Sequence, residues 1–301
     1  MFLIVNSPSE KGRITLIYAS NFIMCARFIN FETYLFILIS LVLFMKIAII
    51  GGGAMGSALA NGLLLKKDID PQNITISNPH LEKLAALTGE GIKITDNNTA
   101  AIKDASLIVI AVKPWKVAEV VNELLPALDP KTMEVAIIVA GISAETIERM
   151  FGDKLPSNIS IVMPNTAMVC GKSMTFLVSI NGENLLAREI FSQVGEIKII
   201  EERLLPAATA LASCGIAYAM RYVRAATEGG VELGFRASEA QDIIRQTVEG
   251  AMAILNTPGA HPETEIDKVT TPGGITIKGL NAMDQAGFSS AVVAGLKASA
   301  K

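Results

Sequence analysis

Gly51-Gly52-Gly53-Ala54-Met55-Gly56 stands between an apolar run, Lys46-Ile47-Ala48-Ile49-Ile50, and a segment with helical spacing of its apolar residues. This G-x-G-x-x-G arrangement, strand before and helix after, fits a βα turn built for a pyrophosphate. Its first glycine makes the tight turn and its second lets backbone approach the phosphates. Its third lets helix and strand pack closely, with the positive helix N-terminus facing the charge. Two phosphate groups held this way imply a dinucleotide and a parallel, doubly wound sheet.

The rest of the chain is consistent with that frame. Apolar runs bounded by turn residues recur at 47–50, 74–77, 107–112, 135–140 and 159–163, with weaker ones at 174–179 and 197–200. Helix-patterned segments lie between the early runs, at 56–66, 81–87, 117–125 and 144–151. Short strands alternating with helices predict βαβ units with right-handed crossovers. Aromatic residues make up only 5% of the chain, which suits helices packed on a parallel sheet better than a β-sandwich. After Arg203 the spacing predicts helices alone, over 204–224, 237–255, 263–269 and 276–286. Breaks are expected at Gly229-Gly230, Thr257-Pro258-Gly259 and 271–274. The fold class is therefore α/β, a Rossmann-like doubly wound sheet over 45–202 followed by an all-helical C-terminal dimerisation domain over 203–301. Those helices carry Ala- and Ile-rich faces that a small domain cannot cover alone, which predicts a homodimer or higher homo-oligomer.

Lysine and arginine number 26 against 29 acidic residues, so no strong field exists to hold nucleic acid. The three cysteines, Cys25, Cys170 and Cys214, are widely separated and odd in number, which suits a reducing cytoplasm and gives no metal-ligand spacing. Residues 1–44 do not match the rest. Their densest apolar run, 34–44, is shorter than the roughly 20 residues a membrane crossing takes, and no small-residue cleavage site follows it. The favoured reading is an upstream extension ahead of a start at Met45. The alternative is a membrane anchor, with no membrane role for 45–301.

The second strand bears on the choice of dinucleotide. An NAD site wants a carboxylate about 20 positions after the glycines, accepting from the ribose 2′-hydroxyl. Here the strand ends in Ser77-Asn78-Pro79-His80, with no carboxylate before Glu82 and with Lys83 close by. Neutral donors beside a lysine favour NADPH, with NADH as the alternative.

Further motifs follow in order: Ala111-Val112-Lys113-Pro114, Val139-Ala140-Gly141, Met163-Pro164-Asn165-Thr166, and Thr209-Ala210-Leu211 with Gly215, Ala217 and Tyr218. The series ends in Thr270-Thr271-Pro272-Gly273-Gly274-Ile275-Thr276-Ile277-Lys278-Gly279-Leu280. Taken together, from Met45 to the C-terminus, the chain resembles the pyrroline-5-carboxylate reductase family. The resemblance implies NAD(P)H-dependent reduction of a cyclic imine, 1-pyrroline-5-carboxylate, to L-proline. It implies cofactor contacts at Ile50, Gly51, Gly52, Gly53, Ala54, Met55, Asn78, Asn98, Ala111, Val112, Lys113 and Pro114. It also implies that Thr271, Ile275 and Thr276 hold the substrate carboxylate, and that helices interlock between two subunits which complete each other's sites. The chain departs from the family pattern at Pro206, where Asp is usual, and at Ala212, Ser213, Cys214 and Ile216, in place of Ser, Gly, Ser and Pro. It departs again at Ile161, where many members carry Arg, and at Ala167, where they carry Pro.

Physical chemistry supports the last stretch independently. Pro272-Gly273-Gly274 cannot propagate a helix and Ile275 onward can, so the N–H groups of Gly274, Ile275 and Thr276 are expected free at a helix N-terminus. Such groups, with the helix dipole, receive a carboxylate without a basic side chain. An imine accepts hydride well only when its nitrogen is protonated or hydrogen-bonded, and Thr276 is the candidate catalytic partner. Other conspicuous residues read as structural: His261 as a turn residue, Cys214 as packing, Trp115 as a cap on the domain interface, and Glu228 and Glu232 as a solvated face. Two other functions stay open at this point, a reductase of a related cyclic imine and a catalytically silent NADP-binding protein.

Overall fold

The computed structural model describes residues 3–5, 14–16 and 45–300. The chain divides into two compact units, Met1–Phe44 and Met45–Lys301. In the first, strands β1 (Leu3–Val5) and β2 (Ile14–Leu16) pair antiparallel. The extension and anchor readings of 1–44 otherwise lie outside the described residues.

The second unit is built on eight strands: β3 (Ile47–Ile50), β4 (Ile74–Ser77), β5 (Lys93–Thr95), β6 (Leu107–Ile110), β7 (Glu134–Ile138), β8 (Ile159–Met163), β9 (Ser173–Asn181) and β10 (Gly195–Ile199). Their order across the sheet is β10-β9-β8-β7-β6-β3-β4-β5. Every position of β3, β6, β7 and β8 is buried, because helices cover both faces, and this is why those strands read as unbroken apolar runs. The chain winds outward from β3 through β4 to β5, then returns to β6 on the other side of β3. The order therefore reverses between β3 and β6, and a crevice opens at their C-terminal ends, where doubly wound sheets bind ligands.

Helices α1 (Ala54–Leu64), α2 (Ala85–Gly89), α3 (Asn98–Ala101), α4 (Val117–Leu124), α5 (Ala144–Phe151) and α6 (Leu185–Gln193) accompany the sheet. One large core cluster joins sheet residues such as Ile50, Ile108 and Ile137 to Val117, Val121 and Leu124 of α4 and to Ile147 and Phe151 of α5. Three features differ from the sequence expectation. First, β9 runs antiparallel to β8, with β10 parallel to β9. Residues 164–172 form a single 3₁₀ turn, too short for the dozen or more residues that a parallel crossover requires. Second, β5 is a three-residue edge strand too short to show a period. Third, 81–87 is not one helix but a 3₁₀ turn, Leu81–Leu84, leading into α2.

From Leu205 the described chain is helical: α7 (Leu205–Ala208), a π-helical segment Thr209–Cys214, α8 (Gly215–Glu232), α9 (Ala237–Leu255), α10 (Pro262–Lys268), α11 (Ile275–Gln285) and α12 (Phe288–Ser299). The break expected at Gly229-Gly230 is absent, and α8 runs through both residues. Gly230 serves packing instead, since a Cβ there would lie 2.8 Å from the Cβ of Ala240 on α9. Its missing side chain is what lets the two helices close on each other.

One buried carboxylate ties the sheet to a helix. The residue before α6, Asn184, is left-handed and gives the helix no side-chain cap. Glu134, at the start of β7 and 5% exposed, caps it from a distance by accepting the Leu186 N–H at 3.1 Å and the Ala187 N–H at 2.7 Å. Burial pushes this carboxyl above the ordinary glutamate value of 4.5, and the two N–H bonds offset only part of that rise. A folded-state pKa raised above the unfolded one gives stability that is full below about 4.5 and fades as pH rises through the folded value. Glu134→Gln has no such titration, so the melting temperature of the native protein relative to that of the variant is expected to fall as pH rises from 4.5 towards neutral. Thermal melts across that range measure it, and a relative melting temperature that rises with pH would contradict the assignment.

Candidate active site

The three glycines of the first turn have three different surroundings. Gly51 has φ +105°, and a Cβ there would lie 2.7 Å from the Ala111 carbonyl oxygen, so no side chain fits the turn. At Gly56 a Cβ would lie 2.0 Å from the Gly51 carbonyl oxygen, which presses the first turn of α1 directly on the loop. At Gly53 a Cβ would meet nothing within 4 Å, and its φ of −78° suits any residue. Glycine is thus imposed by geometry at positions one and three, while at position two it leaves open the space that a phosphate would take. Helix α1 has no side-chain cap, and its first hydrogen bond is from the Ser57 N–H to the Gly53 carbonyl at 2.9 Å. The N–H groups of Ala54, Met55 and Gly56 precede that bond, as an anion receptor at a helix N-terminus needs.

Hydrogen bonds stitch the neighbouring strand ends to this loop. Ser77 O accepts from Gly51 N–H at 2.9 Å and Gly52 N–H at 3.0 Å, and Ile50 O accepts from Ala111 N–H at 2.7 Å. The loop is therefore fixed between β4 and β6. Asn78 follows β4 directly. Its Oδ1 accepts the His80 N–H at 2.9 Å, and its Nδ2 lies 3.1 Å from where a Gly52 Cβ would stand. Asn98 is committed to the frame: its Oδ1 accepts from Ser77 Oγ at 2.6 Å and its Nδ2 donates to Glu123 at 2.8 Å. Val112 is half-buried, while Lys113 and Pro114 are exposed at the turn that follows β6. The structure thus brings the expected cofactor residues from Ile50 to Met55, Asn78, Asn98 and Ala111 to Pro114 to one end of the sheet.

The 271–276 stretch forms a helix terminus as expected, with one correction. The Gly274 N–H is not free, because it donates to Thr271 O at 2.9 Å and closes a turn. The Ile275 and Thr276 N–H groups are among the free donors at the start of α11, with that of Ile277, and no side chain caps them. Gly274 is required for a different reason: a Cβ there would lie 2.5 Å from Thr271 Oγ1. Ile275 is 88% exposed, and Thr271 and Thr276 are exposed too. Among the described residues no hydrogen bond joins this terminus to the glycine loop.

Other expectations resolve as follows. Trp115 is 75% exposed and caps no interface within the chain, because the 3₁₀ turn Pro114–Lys116 points it outward. His261 is exposed just ahead of α10, Cys214 is half-buried in the π segment, and Glu228 pairs with Arg224 at 3.2 Å on a solvated face. A cleft of about 270 Å³ is lined by Lys46, Thr75, Lys93, Thr95, Lys103 and Asp104. It lies at the N-terminal ends of β3 to β5, away from the glycine loop. Asn165 stands in the Met163-Pro164-Asn165-Thr166 motif. It is 6% exposed and bridges the end of β8 to the π segment, a contact no periodicity reveals.

A doubly wound sheet with a phosphate cradle at its switch point, joined to a helical layer with open apolar faces, defines a two-part dinucleotide oxidoreductase. Two family models match accordingly, one described as NADP oxidoreductase coenzyme F420-dependent over residues 46–139 and one as pyrroline-5-carboxylate reductase dimerisation over residues 202–301. The chain is 34% identical over 273 residues to pyrroline-5-carboxylate reductase 2 of Dictyostelium discoideum, a match covering 85% of this chain and 91% of that protein. It is 32% identical to pyrroline-5-carboxylate reductase 2 of Bacillus subtilis over 85% of this chain and 93% of that one. Against a longer relative, pyrroline-5-carboxylate reductase 1 of Dictyostelium discoideum, identity is 38% and the match spans 48% of that protein. The solved reductase of Coxiella burnetii superposes with a TM-score of 0.77 at 26% identity, over 85% of this chain and 96% of that one. The Plasmodium falciparum enzyme, solved with NADP bound, gives 0.75 at 26% identity over 85% and 95%. The chain belongs to the pyrroline-5-carboxylate reductase family.

The glycine geometry makes a paired prediction. Gly53→Val is expected to melt within a few degrees of the native protein yet lose NADPH binding in calorimetric titration, since only the open space changes. Gly56→Ala is expected to lower the melting temperature sharply, because its Cβ has no room. Equal NADPH affinity in a folded Gly53→Val protein would remove the cradle.

Proposed function

We propose that the chain reduces 1-pyrroline-5-carboxylate to L-proline with NADPH, the last step of proline biosynthesis. The observation that carries this reading is the open cradle above Gly53 at the reversal of strand order, in a chain of this family. In this reading 45–202 holds the dinucleotide, and 203–301 holds the substrate and a second subunit. NADPH bound at the cradle supplies the hydride that adds to the imine carbon while the ring nitrogen gains a proton, leaving the saturated amine.

The chain's own groups have three tasks. The N–H groups of Ala54, Met55 and Gly56 receive the pyrophosphate, with Ile50 and Gly51 to Gly53 shaping the approach. Asn78 at the end of β4, with Lys83 near it, accepts a 2′-phosphate where a carboxylate would repel it. Asn98 holds Ser77, and Ala111 to Pro114 form the wall opposite. The N–H groups of Ile275 and Thr276 receive the substrate carboxylate, shaped by Thr271 and Gly274, and the Thr276 hydroxyl donates to the substrate.

The oligomer proposed is a homodimer. In the helical region α8, α11 and α12 have no buried residue and α9 has only Ala240. Tyr222, Val231, Leu233, Phe235, Met252 and Ile254 are each at least 41% exposed. The stretch Glu202–Glu232 is long and apolar enough to cross a membrane by length and composition. The match of 202–301 to a dimerisation model favours a second copy over lipid as its cover. The free thiols of Cys170 and Cys214 accord with a cytoplasmic enzyme. A related cyclic imine is the second reading, favoured by the altered residues Ala212, Ser213, Cys214 and Ile216.

NADPH oxidation with pyrroline-5-carboxylate, run beside a six-membered cyclic imino acid, tests the proposal. Faster turnover of the five-membered ring supports it; turnover of the six-membered ring alone selects the second reading, and none on either removes both. Sedimentation is expected to give at least twice the chain mass, and an active monomer would count against the dimer. Thr276→Val keeps the backbone N–H and loses the hydroxyl. A hydrogen bond to a charged group is worth roughly 1.5–3 kcal/mol, so kcat/KM is expected to fall about 10- to 150-fold with NADPH affinity unchanged. Ile275→Pro deletes one free N–H at the first helical position, where proline is tolerated. It is expected to raise KM for the imine without unfolding the helix, and an unchanged KM would take the carboxylate away from this terminus.

A further inference from the structure

Asn165 stands where the row of strand ends meets the helical region. Its side chain bonds in two directions: Oδ1 accepts the Ala167 N–H at 3.1 Å, and Nδ2 donates to the Ala212 carbonyl at 3.3 Å. Only one orientation of the amide satisfies an N–H and a carbonyl at once. Its own N–H donates to Ser173 Oγ at 3.1 Å, and Ser173 shares a 3.1 Å bond with Thr175. Ser173 and Thr175, both on β9, are 2% and 0% exposed. Beside this bridge, Met163, Phe176 and Ala208 form a small apolar cluster with Leu205 and Ala212 against it. Apolar contact is non-directional and permits sliding, whereas a buried amide bridge accepts one register.

The partner of the bridge is unusual. Ala212 lies in the six-residue π segment Thr209–Cys214, between α7 and α8. Single π turns inside α-helices are rare and occur mostly at functional sites. A widened turn here offers the Ala212 carbonyl to β8. From this segment α8 continues to Tyr218, whose hydroxyl donates to the Gly295 carbonyl of α12 at 3.3 Å. One line of contacts thus runs from the C-terminal end of the sheet, through Asn165, into the helical layer.

We infer that Asn165 is a positioning residue for hydride transfer. By holding the π segment to the end of β8, it sets the distance between the dinucleotide side and the substrate side of the site. The inference rests on the reductase reading above. Its contribution is to kcat rather than to binding, because neither ligand needs the other half of the site in register to bind. A displacement of about 1 Å between reacting centres can cost around 100-fold in rate.

Two variants isolate the bridge from the turn. Asn165→Asp keeps an oxygen for the Ala167 N–H but cannot donate to Ala212 when ionised. Asn165→Ser keeps a short acceptor for Ala167 and does not reach Ala212. Both are expected to lose 10- to 100-fold in kcat, with KM for pyrroline-5-carboxylate and Kd for NADPH within about twofold of native. Amide hydrogen exchange on the ligand-free proteins is expected to quicken at 209–214 by tenfold or more while β3, β6 and β7 stay protected. The aspartate variant carries a further signature. Once protonated its carboxyl donates again, so its kcat relative to native is expected to recover as pH falls, and that of the serine variant is not. A kcat within threefold of native, or exchange at 209–214 equal to native, would overturn the inference. So would a loss of activity matched by faster exchange throughout the sheet, which marks a folding defect. A native enzyme inactive on the imine would instead remove the reductase reading, and the exchange result alone would then decide whether the bridge holds the π segment.

Discussion

The contact between Gly56 and the Gly51 carbonyl oxygen is the constraint on which the site depends. A Cβ at 2.0 Å is sterically impossible, so α1 starts where only a hydrogen atom separates helix from loop. That closeness aims the N-terminal N–H groups of α1 over the end of β3 rather than to one side. It also leaves Gly51 and Gly52 with their own N–H groups turned to Ser77 O, which joins β4 to the loop. Asn78, Asn98 and Ala111 then take their positions from strands already locked to the glycines. The order of causes runs from one steric limit to a hydrogen-bonded frame, and from the frame to the crevice.

The helical layer obeys a different constraint. Its helices pack in pairs, as α8 does with α9 through Gly230 and Ala240, but a single layer of helices has an outer face with nothing on it. Apolar side chains on that face are costly in water and stabilising in an interface. The same deficit leaves 271–276 open, with Ile275 88% exposed. Incomplete burial is therefore a property of this helical layer, and a second copy joined through the dimerisation region would cover it.

Much of this was legible in the sequence, and for physical reasons. Fully buried strands show as apolar runs, so β3 and β8 fall where the pattern puts them. The glycine spacing located the cradle because steric limits act on residue type directly. The parts that were not legible depend on partners distant in sequence. Nothing local distinguishes Gly230 as a notch from Gly230 as a break, since the answer lies in Ala240. The reversal of β9 follows from the length of a connection, which apolar runs alone do not weigh. Glu134 carries no local signal of its role, which depends on α6 lacking a cap of its own. The Gly274 N–H was expected free, and only the turn geometry shows it donating to Thr271.

Most departures from the family pattern gather in and beside the π segment, and local geometry explains why those are tolerated. Pro206 lies in the first turn of α7, where a missing N–H removes no intrahelical bond. Thr209 donates its hydroxyl to Leu205 O at 2.8 Å, which ties the start of the π segment to α7. Ala212 contributes its carbonyl, not its side chain, to the bridge with Asn165, so the change from serine leaves that bond intact. Ser213 replaces a glycine yet finds Pro164 O at 3.5 Å, so the added hydroxyl faces a polar partner rather than apolar surface. Cys214 and Ile216 lie at the passage into α8, at the end of the π segment and in the first turn of the helix. The contacts around the π segment are therefore made largely by backbone carbonyls and by Asn165, which the substituted side chains leave in place. That separation lets the chain retain the backbone geometry of its family across the substituted positions.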